Sequence, residues 1–376
     1  MIRWRRGEVT AVRRQWKGAV ELEVALAGVD RGSPPSASTA GIPVRALAYP
    51  ELTGSPVPGD QVLLNTGALD LGLGTGGYAL VVAIPDRLPP DPQGPGHLVK
   101  ARYTPLQATV LGADEQGSVH HQTLVEADSL DGIPVVIADL HSALPAVLAS
   151  FYAESNPPAA GGRPRVAYVM LDGGALPAWF SRTVSMLTDH GWLAGTITVG
   201  QAFGGDLEAV TLHSGLLAAR HVLGADLIVV AQGPGNLGTG TRWGFSGVAS
   251  GEAVNAAAVL GGRPIASLRI SQADPRPRHR GISHHSLTAY GRVALARADV
   301  VVPDLPGEFG AEIVEAAKPL ADRHNLVTVS VDGLRDVLAG SPVPLSTMGR
   351  NLDQDLAYFL SAAASGRHAA TITAPA

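Results

Sequence analysis

Cysteine is absent from this chain of 376 residues. Its absence excludes disulfide scaffolds, Cys-ligated zinc, iron–sulfur clusters and thiolate nucleophiles. Lysine is almost absent as well: Lys17, Lys100 and Lys318 are the only three, so arginine carries the positive charge. Charged residues make up 16% of the chain and the net charge is −5. A field of that sign does not favour nucleic acid or an anionic membrane as partner. Long apolar runs are missing too, since IPVVIADL, DLIVVA and ADVVVPDL fall far short of the ~18 residues that suggest a membrane span. The opening MIRWRRGEVTAV is basic but leads into polar alternation, so no signal peptide is expected. The expectation is a soluble, cytoplasmic protein with neither a nucleic-acid nor a membrane partner.

What is abundant is glycine, with 45 residues, and proline, with 28. In the first 86 residues GEVTAV, AVELEVAL, PVRALAYP, DQVLLNT and GYALVVAI are short, alternating or β-branched runs. They are separated by turn-forming stretches: RGSPPSASTAG, ELTGSPVPGD and GALDLGLGTGG. That spacing predicts a small β-barrel or β-sandwich. Val57-Pro58-Gly59-Asp60 fits a tight turn, because Pro presets φ and Gly accepts positive φ. The glycine-dense run from Asn65 to Gly77 reads as a hairpin loop or as a flap over a site. RLPPDPQGPG, residues 87–96, reads as a linker.

From His97 to about residue 338 the rhythm becomes strand, loop, helix. Strand candidates are QATVLG, IPVVIAD, RVAYVML, TITVG, DLIVVAQ, PIASLRI, ADVVVP and NLVTVSV. Helical stretches are expected over 142–154, 176–190, 207–223, 248–260, 284–296 and 309–323. This pattern predicts an α/β domain, a doubly wound and mainly parallel sheet of Rossmann-like type. Residues 339–376 hold one more helix candidate, Asn351–Ala364, and a small-residue tail expected to be mobile.

Polar and glycine clusters follow the strands, and in such sheets ligands bind outside the strands' carboxyl ends. The clusters are Asp139 with His141; Asp172, Gly173 and Gly174; Gly204, Gly205 and Asp206; and the loop 233–241. The last contains Gly233, Gly235, Asn236, Gly238, Thr239, Gly240 and Thr241. This loop is either an anion cradle of backbone N–H groups or a glycine-rich βα turn. It has neither the Gly-Lys-Ser/Thr ending of a P-loop nor a well-placed dinucleotide fingerprint.

DPRPRHRGISHH, residues 274–285, is the most unusual composition in the chain. Asp274, Arg276, Arg278, His279 and Arg280 crowd a stretch stiffened by two prolines, and Ser283 is placed to cap a helix starting at His284. Arginine clamps carboxylate or phosphate, and histidine is suited to proton transfer near neutral pH. A second pair, His120-His121, lies upstream. His120, His121, Asp139, His141, His284 and His285 could supply an acid–base pair, a metal site or structural hydrogen bonds. Adjacent histidines point apart, so at most one of each pair is expected in a site. No H-E-x-x-H motif and no G-x-S-x-G elbow occurs.

ALAYPELTG, LLNTGALDLGLGTGGYALV, HLVKARYTPLQ, AFGGDLEAV, GPGNLGTGTRWGFSG and DPRPRHRGISHH together resemble a bacterial family, Domain of Unknown Function 3866. The similarity spans nearly the whole chain and brings no activity or catalytic residue with it. A looser architectural likeness is to the proprotein subunit of the glycine and betaine reductases, which also sets a β-rich portion before an α/β portion. Without cysteine this chain lacks the residue from which such a subunit makes its pyruvoyl group, so that likeness is one of fold.

The leading expectation is an enzyme acting on a small anionic metabolite, phosphorylated compounds included. Gly233–Thr241, Arg276 and Arg280 would hold the anion, Asp172 and Asp206 would orient it, and a histidine would move the proton. The rivals are a non-catalytic ligand-binding or assembly protein, such as a homodimer, and a metal-dependent hydrolase. The sequence identifies no cofactor and no particular metal.

Overall fold

A computed structural model describes residues 2–27, 41, 43–72, 76–155 and 162–373. Most of the expected turn RGSPPSASTAG, residues 73–75 of the glycine-dense run and the last three residues lie outside the described residues. The chain divides into two compact units, residues 1–95 with 104–108, and residues 96–103 with 109–376.

The first unit is a closed five-stranded barrel. Its strands are β1 (Trp4–Trp16), β2 (Ala19–Leu26), β3 (Pro43–Ala48), β4 (Gln61–Asn65) and β5 (Ala79–Ala83). They run β1-β2-β3-β5-β4 around the barrel, and β4 closes back on β1. All neighbours are antiparallel except β3 and β5. This is the strand order of an OB-type barrel, which does not by itself carry a function. Val9, Leu22, Val24, Val62, Leu64 and Val81 fill the interior. The Val57–Asp60 turn forms, with Asp60 N–H donating to Val57 O over 3.1 Å and Gly59 at φ +94°. Arg87 ties the 87–95 stretch to this unit through Asp60 and the Ser55 carbonyl.

The second unit is built on an eight-stranded parallel sheet flanked by helices. Its strands are β6 (Pro134–Ile137), β7 (Val166–Leu171), β8 (Gly195–Thr198), β9 (Leu207–Glu208), β10 (Leu227–Gln232), β11 (Arg263–Ser267), β12 (Asp299–Asp304) and β13 (Asn325–Ser330). Their order is β9-β8-β7-β10-β6-β11-β12-β13, and every described pair is parallel. All residues of β6, β7 and β10 are buried, which is why their sequences read as unbroken apolar runs rather than alternation. The chain builds outward from β6 on one side and returns through β10. It then leaves on the other side through β11. The carboxyl ends of β10, β6 and β11 therefore flank the topological switch point.

The helices are α1 (Leu144–Glu154), α2 (Arg182–Asp189), α3 (Leu212–His221), α4 (Ala249–Val259), α5 (His284–Thr288), α6 (Gly307–Ala317), α7 (Leu334–Ala339) and α8 (Leu356–Thr373). Three differ instructively from the sequence expectation. The stretch 176–190 opens with a 3-10 turn over Ala178–Phe180 and becomes α-helical only at Arg182, where the Ser181 hydroxyl accepts from Val184 N–H over 3.1 Å. The stretch 207–223 opens as strand β9, because Glu208 is drawn to buried Lys100 at 3.4 Å, and a Thr211/Ser214 capping box starts α3. The stretch 284–296 is a short α-helix that continues as a π-helix over Ala289–Val293. No helix among the described residues is long and apolar enough to cross a membrane.

Residues expected in a mobile tail continue α8 as far as Thr373, and the helix packs along α1. Gly366 makes that approach possible, since a Cβ there would lie 2.1 Å from the Val147 carbonyl oxygen. The Ser150 hydroxyl donates to the Ala363 carbonyl across the same seam. Gly366→Ala is expected to cost roughly 1–3 kcal/mol, the usual range for overpacking a tight contact. Urea unfolding checks this, and an unchanged midpoint would mean that the two helices do not depend on this contact.

Candidate functional site

The residues that converge at the switch point come from the loops after β6, β10 and β11. Arg269, just past β11, is only 4% exposed. Its guanidinium lies 3.9 Å from Asp139 Oδ2, after β6, and 3.6 Å from Asp274 Oδ2. Asp274 is also gripped by Arg276, whose Nε and Nη2 donate to its two oxygens over 2.9 and 2.7 Å. Arg350 reaches the same carboxylate at 3.4 Å and donates to Asp355 over 2.9 Å. Hydrogen bonding from Arg276 holds the Asp274 carboxyl well below the usual range, so it stays ionised.

Three histidines stand against this network. Ser283 caps α5 as expected, accepting from His285 N–H over 3.2 Å, and the same hydroxyl lies 2.8 Å from His279 Nδ1. His279 is buried, His285 nearly so, and His284 half-buried. Ring centroids are separated by 4.4 Å for His284–His285, 4.8 Å for His279–His285 and 5.1 Å for His279–His284. The adjacent rings, expected to point apart, lie together instead. The two rings and a third, His279, which the loop folds back to meet them, form a nearly equilateral triangle. Phe245 stacks on His285 at 3.8 Å with the planes 2° apart. Burial, reinforced by Arg269 and Arg276, holds His279 down to about 3, and burial also lowers His284. Both rings are therefore neutral at pH 7. His284 Nε2 and Asp139 Oδ2 are buried without a hydrogen-bond partner among the described residues.

Beside the cluster lies an open pocket of about 970 Å³. Arg242, Trp243, Arg278, His284, Arg292 and Arg323 contribute to its wall. Arg242 and Trp243 come from the loop after β10, His284 from α5, and Arg292 from the π-helical turn. None of the four arginines pairs with a carboxylate among the described residues, and Arg323 donates only to the Ala294 carbonyl.

Most of the other sequence candidates fall elsewhere. His121 Nδ1 is 2.7 Å from the Asp114 carbonyl, and His120 precedes a short helix, His121–Glu126. His141 sits between the Tyr168 hydroxyl at 2.9 Å and Ser181 Oγ at 2.7 Å. None of these three makes a hydrogen bond, ion pair or ring contact with the cluster. Asp172 accepts from Gln201 N–H, and Asp206 accepts from Thr196 N–H and Oγ1. Gly204 lies against Trp179, and Gly205 is crossed by the Leu207 carbonyl. Gly173, Gly174 and Gly233 are pressed into a contact between two loops, where a Cβ on Gly174 would lie 2.1 Å from Gly233 O. In the 233–241 loop, Asn236 Nδ2 reaches to 3.4 Å from His285 Nδ1, and Gly235 takes φ +92°. Gly238, Thr239 and Thr241 are exposed beyond it, Gly240 contributes to the wall of the open pocket, and Arg280 is exposed.

Sequence reasoning missed Arg242, Arg269, Arg292 and Arg323. Only Arg269, immediately after a strand, carried a positional signal. The arrangement defines a doubly wound α/β protein with a charged, histidine-bearing cluster at its switch point. The chain belongs to the family described as protein of unknown function DUF3866, whose model matches residues 45–366. Among curated proteins no sequence matches it.

His141 generates a stability prediction. Burial lowers it from 6.5 to about 4, so between those values the unfolded chain takes up a proton that the folded chain refuses. Its contribution is intact above pH 6.5 and lost as pH falls towards 4. Unfolding free energies measured across that window should decline less steeply in His141→Gln than in the wild type. Equal slopes would count against a buried neutral His141.

Proposed function

We propose that the protein is an enzyme acting on a small anionic metabolite, with a phosphorylated compound the best fit. The observation that carries this reading is the pocket whose wall holds Arg242, Arg278, Arg292 and Arg323 without a carboxylate partner. Guanidinium groups gathered round one space repel one another, and a bound anion relieves that repulsion while taking charge-assisted hydrogen bonds. Phosphate suits them because its oxygens match the planar fork of arginine. Trp243, 56% exposed on the same wall, offers an apolar face for the uncharged part of the ligand.

His284 belongs both to this wall and to the histidine cluster, so the cluster is the chemical end of the pocket. Compared with the sequence expectation, the anion-holding role moves from Gly233–Thr241, Arg276 and Arg280 to the four wall arginines. Arg276 is committed to Asp274, and that pair orders the loop carrying the histidines.

The rival reading is a ligand-binding protein without turnover. It draws support from the close packing at Gly173, Gly174 and Gly233, which accounts for those glycines with no ligand at all. A calorimetric screen of inorganic phosphate, pyrophosphate, sugar phosphates, nucleotides and small dicarboxylates tests the anion reading, and product analysis on each binder separates it from the rival. Arg292→Ala should weaken the best binder by about tenfold or more, consistent with loss of a charge-assisted contact. Arg242→Ala/Arg292→Ala should abolish binding with the thermal midpoint unchanged, because neither side chain holds an ion pair. If no anion binds, or the variants bind as the wild type does, the reading fails.

A further inference from the structure

We infer that His279, His284 and His285 form a binding site for one divalent transition-metal ion of the zinc class. Each offers one ring nitrogen, and the three candidate ligand atoms lie within 4.8 Å of one another. Three imidazoles on one centre suit zinc and its neighbours rather than magnesium or calcium, which prefer oxygen.

The surroundings match what a metal-bound histidine requires. Such a ring needs its second nitrogen held by a hydrogen-bond partner, commonly a carboxylate. Ser283 Oγ holds His279 Nδ1 at 2.8 Å, leaving Nε2 free. His285 Nδ1 faces Asp139 Oδ2 at 3.6 Å, with Arg269 and Asn236 each at 3.4 Å. That nitrogen has two choices. If it accepts from Arg269 or Asn236, the proton sits on Nε2 and Asp139 Oδ2 stays an orphan. If it donates to Asp139, the orphan is satisfied and Nε2 is free to bind an ion.

The second, independent observation is that pair of unpartnered buried atoms: His284 Nε2, and Oδ2 of Asp139, a residue 3% exposed. Leaving either buried atom without a hydrogen bond is costly, and one ion removes both costs, at His284 by coordination and at Asp139 through the His285 tautomer. The nearby positive charge does not forbid a cation. Arg269 is shared between Asp139 and Asp274, and Arg276 is paired with Asp274.

Three protein ligands leave a fourth tetrahedral position. Because His284 lies on the pocket wall, an ion here deepens the anion reading by adding positive charge where the anion's reacting end would lie. The test needs no anion. Untagged protein is stripped with chelator and titrated with Zn²⁺, and separately with Co²⁺, under calorimetry and visible absorption. One ion per chain should bind, with a Co²⁺ spectrum of tetrahedral nitrogen ligation. His284→Gln, whose ring is only half-buried, should lose stoichiometric uptake. Asp139→Asn should weaken it about 10–100-fold, as loss of an outer-shell partner does. His120→Ala should bind as the wild type does.

Absence of stoichiometric binding in the wild type overturns the inference, as does undiminished uptake in both His284→Gln and Asp139→Asn. The wild-type titration decides even if a variant fails to fold. Should metal binding fail while phosphate compounds still bind with the arginine dependence above, the anion pocket stands and only the metal site falls.

Discussion

The buried guanidinium of Arg269 is the constraint on which the site depends. A charge 4% exposed must be compensated on the spot or the fold does not tolerate it. Compensation comes from Asp139 and Asp274, which are far apart in sequence and belong to different loops. The requirement propagates outward. Asp274 needs Arg276 and Arg350 to balance it, Arg350 needs Asp355, and Asp355 accepts twice from the Ser271 hydroxyl. A single buried cation therefore ties the ends of β6 and β11 to the segment leading into α8. Replacing that network by apolar groups would cost less in desolvation. Its retention is explained if it orders the loop from Asp274 to Ser283, which has little other reason to adopt one shape.

On that ordered loop His279 folds back against His284 and His285. The Ser283 hydroxyl serves two groups at once, the α5 amide at His285 and the His279 ring. Cap and ring are set together, so the geometry of the cluster follows from the start of a helix only five residues long. The π-helical continuation then turns Arg292 into the pocket wall. Such a widened turn is frequent at functional sites, because it re-aims a side chain without ending the helix.

The fold was legible wherever burial was complete. β6, β7, β10 and β12 announced themselves as unbroken apolar runs, and the barrel strands as short segments between turns. Ser283 was legible as a cap because the rule is local. Strand β9 was not, since Leu207–Glu208 takes its conformation from Lys100, more than a hundred residues away. The charged cluster was legible in position, at the ends of the strands, and partly in content. The 274–285 composition led to the histidines, yet nothing local separates buried His279 from exposed Arg280 one residue on. Arg242, Arg292 and Arg323 each look like ordinary surface arginines, and only the tertiary fold makes them neighbours.

Arg276 shows why composition alone misassigns roles in such a loop. A bidentate arginine is the natural choice for an anion, and here it finds one, but the anion is Asp274, two residues away. A carboxylate already within the chain competes with any ligand at no cost in translational freedom. The arginines free to bind a ligand are those the fold keeps away from every carboxylate. Arg242, Arg278 and Arg292 meet that condition while remaining exposed enough to shed water reversibly. Charge satisfied internally builds the cluster, and charge left over lines the pocket beside it.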